Sequence, residues 1–279
     1  MVPRRDRAAA SSSLSGMDSF SLQGKNALVS GAAMGIGRAT ALMMAARGAT
    51  VIALDVDGLL AEQTAADIRA EGGSATSIQL DLLDTDKFAG LFTTIKSDFG
   101  GLDILANIAG ITRWLKMHET KVQDWDTILD INARATFFLM QGACAQMIEG
   151  NRGGSIVNVA SIAGKGFRNT SAAAYASSKA AVVVMTRVAS GYVASHNIRV
   201  NAICPGPTKT HLLMAGLELF TATSGRTLDE EFDAWVTQVP LGFAAEASDM
   251  AQSICFLACD AARFITGQSI NVDGGMVFD

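Results

Sequence analysis

From Asn26 onward, short runs rich in Ile, Val and Leu alternate with stretches of helical periodicity, and that alternation limits the available folds more than any other feature. The apolar runs fall at 27–30, 50–55, 75–80, 104–107, 155–159, 199–203 and 269–272. They are apolar at successive positions rather than at every second one, which is the pattern of parallel strands covered on both faces. Helical stretches fall between them, at 35–47, 57–71, 84–99, 119–148, 174–195 and 248–258. Strands joined in this way need right-handed crossovers, so the expected architecture is α/β, a doubly wound sheet. No composition break and no repeat of 20–50 residues divides 21–279, which reads as one domain.

One stretch breaks the rhythm. Between Pro205 and Glu246 no strand is expected, and the residues include His211-Leu212-Leu213-Met214 and later Phe232, Trp235 and Val236. An inserted helical segment of this composition, about 206–245, reads as a lid over a substrate pocket, with an interface helix as the alternative.

Composition excludes several classes. The chain is 49% hydrophobic and 18% charged with a formal net charge of −5, and its basic residues form no run outside the N-terminus, which argues against a nucleic-acid partner. No stretch approaches the ~18 uninterrupted apolar residues of a membrane span. Cys144, Cys204, Cys255 and Cys259 are scattered, and the i, i+4 pair Cys255/Cys259 has no His or acidic cluster beside it. Small reduced core thiols in a cytoplasmic protein, and no metal site, are the expectation. His118, His196 and His211 show no pairing pattern. Residues 1–20 are basic, then small and polar, and read as a disordered leader or tag remnant, with a transit peptide as the rival and Met17 as a candidate start.

Two groups of residues carry chemistry. The first is Gly31-Ala32-Ala33-Met34-Gly35-Ile36-Gly37, which follows the first expected strand and opens a helix. Gly31 permits a tight turn, Gly35 lets backbone approach a pyrophosphate, and Gly37 allows close helix packing; the helix N-terminus then offers N–H groups to the phosphates. Met34 and Ile36 belong to the same candidate cofactor set. Asp55 ends the second strand 24 residues after Gly31, where a carboxylate accepts bonds from ribose hydroxyls and repels a 2′-phosphate. NAD is therefore expected over NADP. The second group is Tyr175-Ala176-Ser177-Ser178-Lys179. Residues four apart share a helix face, so the Lys179 ammonium would lie near the Tyr175 phenol and draw its pKa down from ~10 toward a useful range. The spacing by itself is also that of a solvated helix face; its surroundings decide.

Those surroundings resemble the short-chain dehydrogenase/reductase family over nearly all of 22–279. The ordered landmarks are Ser30-Gly31-x-x-x-Gly35-Ile36-Gly37, Asp81, Asn107-Ile108-Ala109-Gly110, Asn132, Ser161 and Tyr175-x-x-x-Lys179. Asn201-Ala202-Ile203-x-Pro205-Gly206 and Thr266-Gly267-Gln268-x-Ile270-x-Val272-Asp273-Gly274-Gly275 follow. The resemblance implies a single doubly wound Rossmann fold with a seven-stranded parallel sheet, assembled as a homotetramer. It implies that Asp81 and Leu82 contact the adenine, and that Asn107, Ala109 and Gly110 line the cofactor. Tyr175 would be the general acid/base, Lys179 would hold the nicotinamide ribose, and Ser161 would bond the reacting oxygen. Asn132 would anchor a water leading from Lys179 to solvent. Pro205, Gly206, Thr208 and Thr210 would border the nicotinamide and pyrophosphate. The sequence departs from the common pattern at Ser30, where threonine is usual, at Ile108, where a second asparagine is common, and at Phe243, where arginine often stands.

The reading is an NAD-dependent oxidoreductase interconverting a secondary alcohol and its ketone, acting on a small molecule. Trp114, Phe167, Leu212, Leu213 and Met214, with Ser161 and Tyr175, would form a pocket for a mostly apolar substrate or a compact polyol. A 3-oxoacyl thioester reductase is the enzymatic alternative, weakened by Asp55. A non-catalytic NAD-binding protein is the alternative of another class, weakened by the presence of Ser161, Tyr175 and Lys179.

Overall fold

The computed structural model describes residues 18–166 and 172–278. Seven parallel strands form one sheet: β1 (Asn26–Ser30), β2 (Thr50–Asp55), β3 (Ser74–Gln79), β4 (Ile104–Asn107), β5 (Gly154–Val159), β6 (Ile198–Pro205) and β7 (Ser269–Val272), in the order β3-β2-β1-β4-β5-β6-β7. Strand polarity explains the continuous apolar runs. Leu28, Ile52, Leu54, Leu105 and Ile156 turn to one face of the sheet, where helices α3 (Phe88–Phe99) and α5 (Thr136–Gly150) supply Phe88, Leu91, Ile95, Leu139 and Met147. Their neighbours Val29, Val51, Ala53, Ala106 and Val157 turn to the other, against Ala41 and Met44 of α1 (Gly35–Ala46) and Met250 and Ile254 of α9 (Ala247–Ala258). With both faces covered, apolar residues fill both sets of alternate positions along most of the central strands.

The chain lays down β1, β2 and β3 in one direction and returns to place β4 on the other side of β1. At such a reversal the crossovers diverge above and below the sheet and leave a crevice at the carboxyl ends of β1 and β4. Everything that follows is built on that crevice. Helix α2 (Gly58–Ala70) is capped by Asp57, whose Oδ1 accepts from Leu60 N at 3.0 Å.

The expected helix over 119–148 is three pieces: α4 (Val122–Leu129), a π-helical turn (Asp130–Ala135) and α5. A π turn admits an extra residue per loop, and here it gives the Asn132 side chain room to bond outside its own helix. The segment after β6 holds α7 (His211–Ser224) and α8 (Leu228–Val236), with Thr210 and Thr227 as their N-caps. Its two ends meet, since Lys209 N donates to Ala245 O at 2.8 Å and Ala245 N to Pro207 O at 3.0 Å. The insertion thus stands on a closed base.

At the end of the stretch read as a leader, Asp18–Phe20 forms a 3-10 turn, and the half-exposed Phe20 ring lies 6.5 Å from that of Phe256 on α9. Residues 1–17 fall outside the described residues. All four cysteines are free thiols, and among the described residues no three His, Cys, Asp or Glu side chains gather as a metal site. No described helix is long and apolar enough to cross a membrane.

Candidate active site

The glycine turn caps the crevice. Gly31 (φ 71°) sits so close to the end of β4 that a Cβ there would come within 2.9 Å of Ala109 Cα. At Gly37 a Cβ would fall on the carbonyl oxygen of Gly31, so α1 can start this tightly only with hydrogen at that position. No side chain caps α1 at Met34, and Gly35, Ile36 and Gly37 line a cleft enclosing about 1100 Å³, part of it open to solvent. Uncapped amides with the helix dipole behind them favour a phosphate-bearing ligand. Ser30 fastens the two strand ends: its Oγ accepts from Ile108 N at 3.0 Å and Ala109 N at 3.2 Å.

Asp55 stands at the rim of this cleft with its carboxylate fixed, Oδ2 accepting from Ala33 N at 3.0 Å and Oδ1 from Asp57 N at 3.1 Å. Asp81, Leu82, Ala109, Gly110 and Thr210 line the same cleft. Its described lining holds two carboxylates, Asp55 and Asp81, and no Lys or Arg. Arg38 turns away to pair with Asp67 at 2.6 Å. A dinucleotide therefore fits: glycine backbone for the pyrophosphate, a fixed carboxylate for a ribose, and no cation for a further phosphate. Asn107 is not part of this lining. Its amide points into the protein, with Nδ2 donating to Asn158 Oδ1 at 2.9 Å, because a buried amide in the middle of the sheet must find an internal partner.

Helix α6 (Ala173–Val193) brings Tyr175 and Lys179 to a second cleft of about 840 Å³, again partly open to solvent. Ile36, Ile108, Gly110, Thr210 and Leu212 border both clefts, which are therefore continuous. The Ser161 side chain hydrogen-bonds the Tyr175 side chain. Gly164 makes this approach possible, since a Cβ there would come within 2.6 Å of the Lys179 carbonyl carbon and push the Ser161 turn off α6. Lys179 Nζ donates to Val159 O at 2.8 Å and stands 5.8 Å from the centre of the Tyr175 ring.

The Asn132 side chain bonds to two other parts of the site. Its Oδ1 accepts from Ile111 N at 2.8 Å, while Nδ2 donates to Ile111 O at 2.8 Å and to Ser178 Oγ at 3.0 Å. Ser178 passes the connection to the Tyr175 carbonyl at 2.7 Å. The amide thus ties the loop after β4 to α6.

The pKa of Tyr175 also moves against expectation. Burial pushes the phenol up to about 12, and the bond with Ser161 offsets only part of that. Burial likewise lowers Lys179 to about 8, with Cys204 opposing the shift. Spacing placed the two side chains together, but burial penalises both charged forms and sets the direction of both shifts.

The far end of this cleft is aromatic. Trp114, on the loop between β4 and α4, meets Phe220 of α7 edge-on at 5.4 Å and Trp235 of α8 edge-on at 6.1 Å. Each such pair contributes ~0.5–1.5 kcal/mol beyond its buried area. Trp114, Leu212 and Leu213 line the cleft as expected. Met214 does not: a further residue along α7 rotates its side chain by ~100° away from the mouth. Phe167 lies outside the described residues. Pro205, Gly206 and Thr208 form the floor, and a Cβ at Gly206 would come within 2.7 Å of Asp273 Cα. Asp273 accepts from Gly275 N at 3.0 Å and Val277 N at 2.8 Å, so the C-terminal motif props that floor. Sequence reasoning missed Trp235 and Thr112 as lining. The first was signalled by its place in the apolar insertion; the second gave no signal.

A family model described as enoyl-(acyl carrier protein) reductase matches residues 31–277. The chain is 37% identical over 254 residues to the 3-oxoacyl-[acyl-carrier-protein] reductase FabG of Staphylococcus aureus, covering 90% of this chain and 98% of that protein. Among solved structures, a short-chain type dehydrogenase/reductase from Mycobacterium marinum superposes with a TM-score of 0.86 at 30% identity, over 94% of this chain and 99% of that one. A candidate NAD(P)-dependent gluconate 5-dehydrogenase from Beutenbergia cavernae, with NADP bound at low occupancy, gives a TM-score of 0.83 at 34% identity, over 92% and 98%.

Proposed function

The chain belongs to the short-chain dehydrogenase/reductase family, and from that premise we propose that it is an NAD-dependent oxidoreductase interconverting a secondary alcohol and its ketone. The observation that carries the reading is the convergence of Ser161, Tyr175 and Lys179 on one cleft that is continuous with the dinucleotide cleft. When bound, the nicotinamide cofactor supplies or accepts the hydride. Tyr175 moves the proton at the substrate oxygen, and Ser161 donates to that oxygen as negative charge builds on it. Burial keeps the phenol protonated at neutral pH, so it can stand as the proton donor in ketone reduction. Lys179 carries its charge at neutral pH, close enough to stabilise the phenolate once formed. Asn132 and Ser178 are positioning residues: they hold the loop after β4 in register with Tyr175.

NAD rather than NADP is supported by the fixed Asp55 carboxylate and the absence of Lys and Arg from the described lining of the cleft. The NADP in the Beutenbergia protein belongs to a relative and leaves that argument to be tested here. A homotetramer in the cytoplasm goes with this reading, supported by Val184, Val188 and Tyr192, which stand 58%, 53% and 79% exposed along α6 and offer an apolar face to another subunit. The second reading, a 3-oxoacyl thioester reductase, is favoured by the FabG match. Initial rates followed at the reduced-cofactor absorbance decide, across polyols, cyclic alcohols, hydroxy acids and a 3-oxoacyl thioester, each with both cofactors. Preference for a carbinol with NAD is the expected result. A thioester that outruns every carbinol moves the assignment to the second reading, and a wild-type preference for NADP overturns the Asp55 argument.

A further inference from the structure

We propose that Trp114 is the specificity-determining residue of the substrate cleft, admitting uncharged, compact ketones and alcohols and rejecting those bulky on the side away from the reacting carbon. This deepens the carbonyl–carbinol reading and rests on it. Three contacts fix the indole. Gly216 on α7 leaves just enough space for it, since a Cβ there would fall on Trp114 Nε1. Phe220 and Trp235 meet it edge-on from two helices of the insertion. A ring held from three sides cannot swing aside for a larger substrate without moving α7 and α8 together.

The polarity of the cleft fixes the charge of the substrate. Lys179 is the one charged side chain in the described lining, and its ammonium already donates to Val159 O. A carboxylate or phosphate at the far end of the cleft, beside Trp114 and away from Lys179, would lose its water with no cation to meet it among the described lining residues. Ile162, Leu213 and Trp235 instead offer apolar surface. Trp114 Nε1 and Thr112 Oγ1 are buried without a hydrogen-bond partner, so the wall they form presents no exposed donor either. Trp114 is absent from the lining of the dinucleotide cleft, so replacing it should change substrate choice and leave cofactor binding alone.

The test compares wild type with Trp114→Ala and Trp114→Phe on cyclohexanone and 4-tert-butylcyclohexanone. Reduction rates are measured alongside the ketone-induced shift in melting temperature of the NADH-loaded protein. Cofactor affinity is measured separately by NADH fluorescence. Wild type should favour the compact ketone. Trp114→Ala should raise the bulky-to-compact ratio of kcat/KM at least ~10-fold, the scale set by a few methylenes in an apolar pocket. Trp114→Phe, which keeps a ring and guards against loss of folding in the alanine variant, should fall between. A ratio within about threefold of wild type in both variants, on that same scale, with NADH affinity retained, overturns the proposal. If wild type reduces neither ketone nor any compound of the broader panel, the carbonyl–carbinol reading fails instead. The melting shifts then still read the size limit: equal shifts by both ketones in wild type overturn it, and a shift by the compact one alone supports it.

Discussion

Replacing Lys179 by methionine is expected to flatten the dependence of stability on pH between about 8 and 10, and the structure sets the size of the effect. Lys179 is 3% exposed, and burial lowers its pKa from 10.5 to about 8. Between those values the unfolded chain binds a proton that the folded protein has released, so stability rises with pH across that window. Below about pH 8 both states are charged and the full cost of the buried ammonium is present; it is relieved as pH climbs. A difference of some 2.5 units corresponds to ~3 kcal/mol in total, of which ~2 kcal/mol is realised by pH 10. Tyr175 acts with the opposite sign. Its folded value of about 12 lies above the ordinary phenol value of 10.0, so the stability it contributes is intact below pH 10 and is lost from there toward pH 12. Burial also raises Cys144 to about 11 and Cys255 to about 12, and these thiols add the same trend to both proteins. The assay is therefore a difference: urea denaturation of wild type and Lys179→Met from pH 7 to 10, with the two ΔG curves subtracted. The methionine also leaves Val159 O without its donor, an offset of ~1 kcal/mol that does not vary with pH. A difference curve that climbs by ~2 kcal/mol fits the burial argument. A flat one would refute it and mean that Lys179 keeps an ordinary pKa in the folded site.

Other consequences can be checked in the same way. Gly37→Ala places a methyl on the Gly31 carbonyl and should cost ~3 kcal/mol or more while abolishing dinucleotide affinity, measured by melting temperature and NADH fluorescence. Ser30→Ala removes the acceptor for two backbone N–H groups and should cost ~1–3 kcal/mol by chemical denaturation with the fold intact by circular dichroism. Asp55→Ala should lower the ratio of NAD to NADP efficiency by ~10-fold or more, since it removes both a ribose acceptor and a repelling charge; an unchanged ratio would show that Asp55 does not choose the cofactor.

The layout of the molecule could be read from the sequence because it follows from periodicity. Residues such as Ile52 and Val51 are buried on opposite faces of one strand, and a run with no polar alternate has few other places to go. The glycine turn was legible for the same reason: Gly31 and Gly37 occupy positions where any side chain would collide, which leaves a local mark. What was not legible depends on residues far apart in the chain. The π turn at Asn132 exists for bonds to Ile111, 21 positions away, and Ser178, 46 away. The seat for Trp114 is Gly216, which in the sequence is an unremarked helix glycine. Spacing put Lys179 near Tyr175 but carried no information about how dry the site would be, and the sign of the phenol shift depends on that.

The most direct test of the account is the turnover of Tyr175→Phe on the best substrate of the wild-type enzyme, with NADH affinity measured on the same preparation. The phenol is the group that moves the proton, so its loss should lower kcat by ~10²–10⁴-fold while cofactor binding stays within about threefold of wild type. Turnover retained within about tenfold, with the protein folded and loaded, would contradict the assignment of Tyr175 as the acid/base of this site.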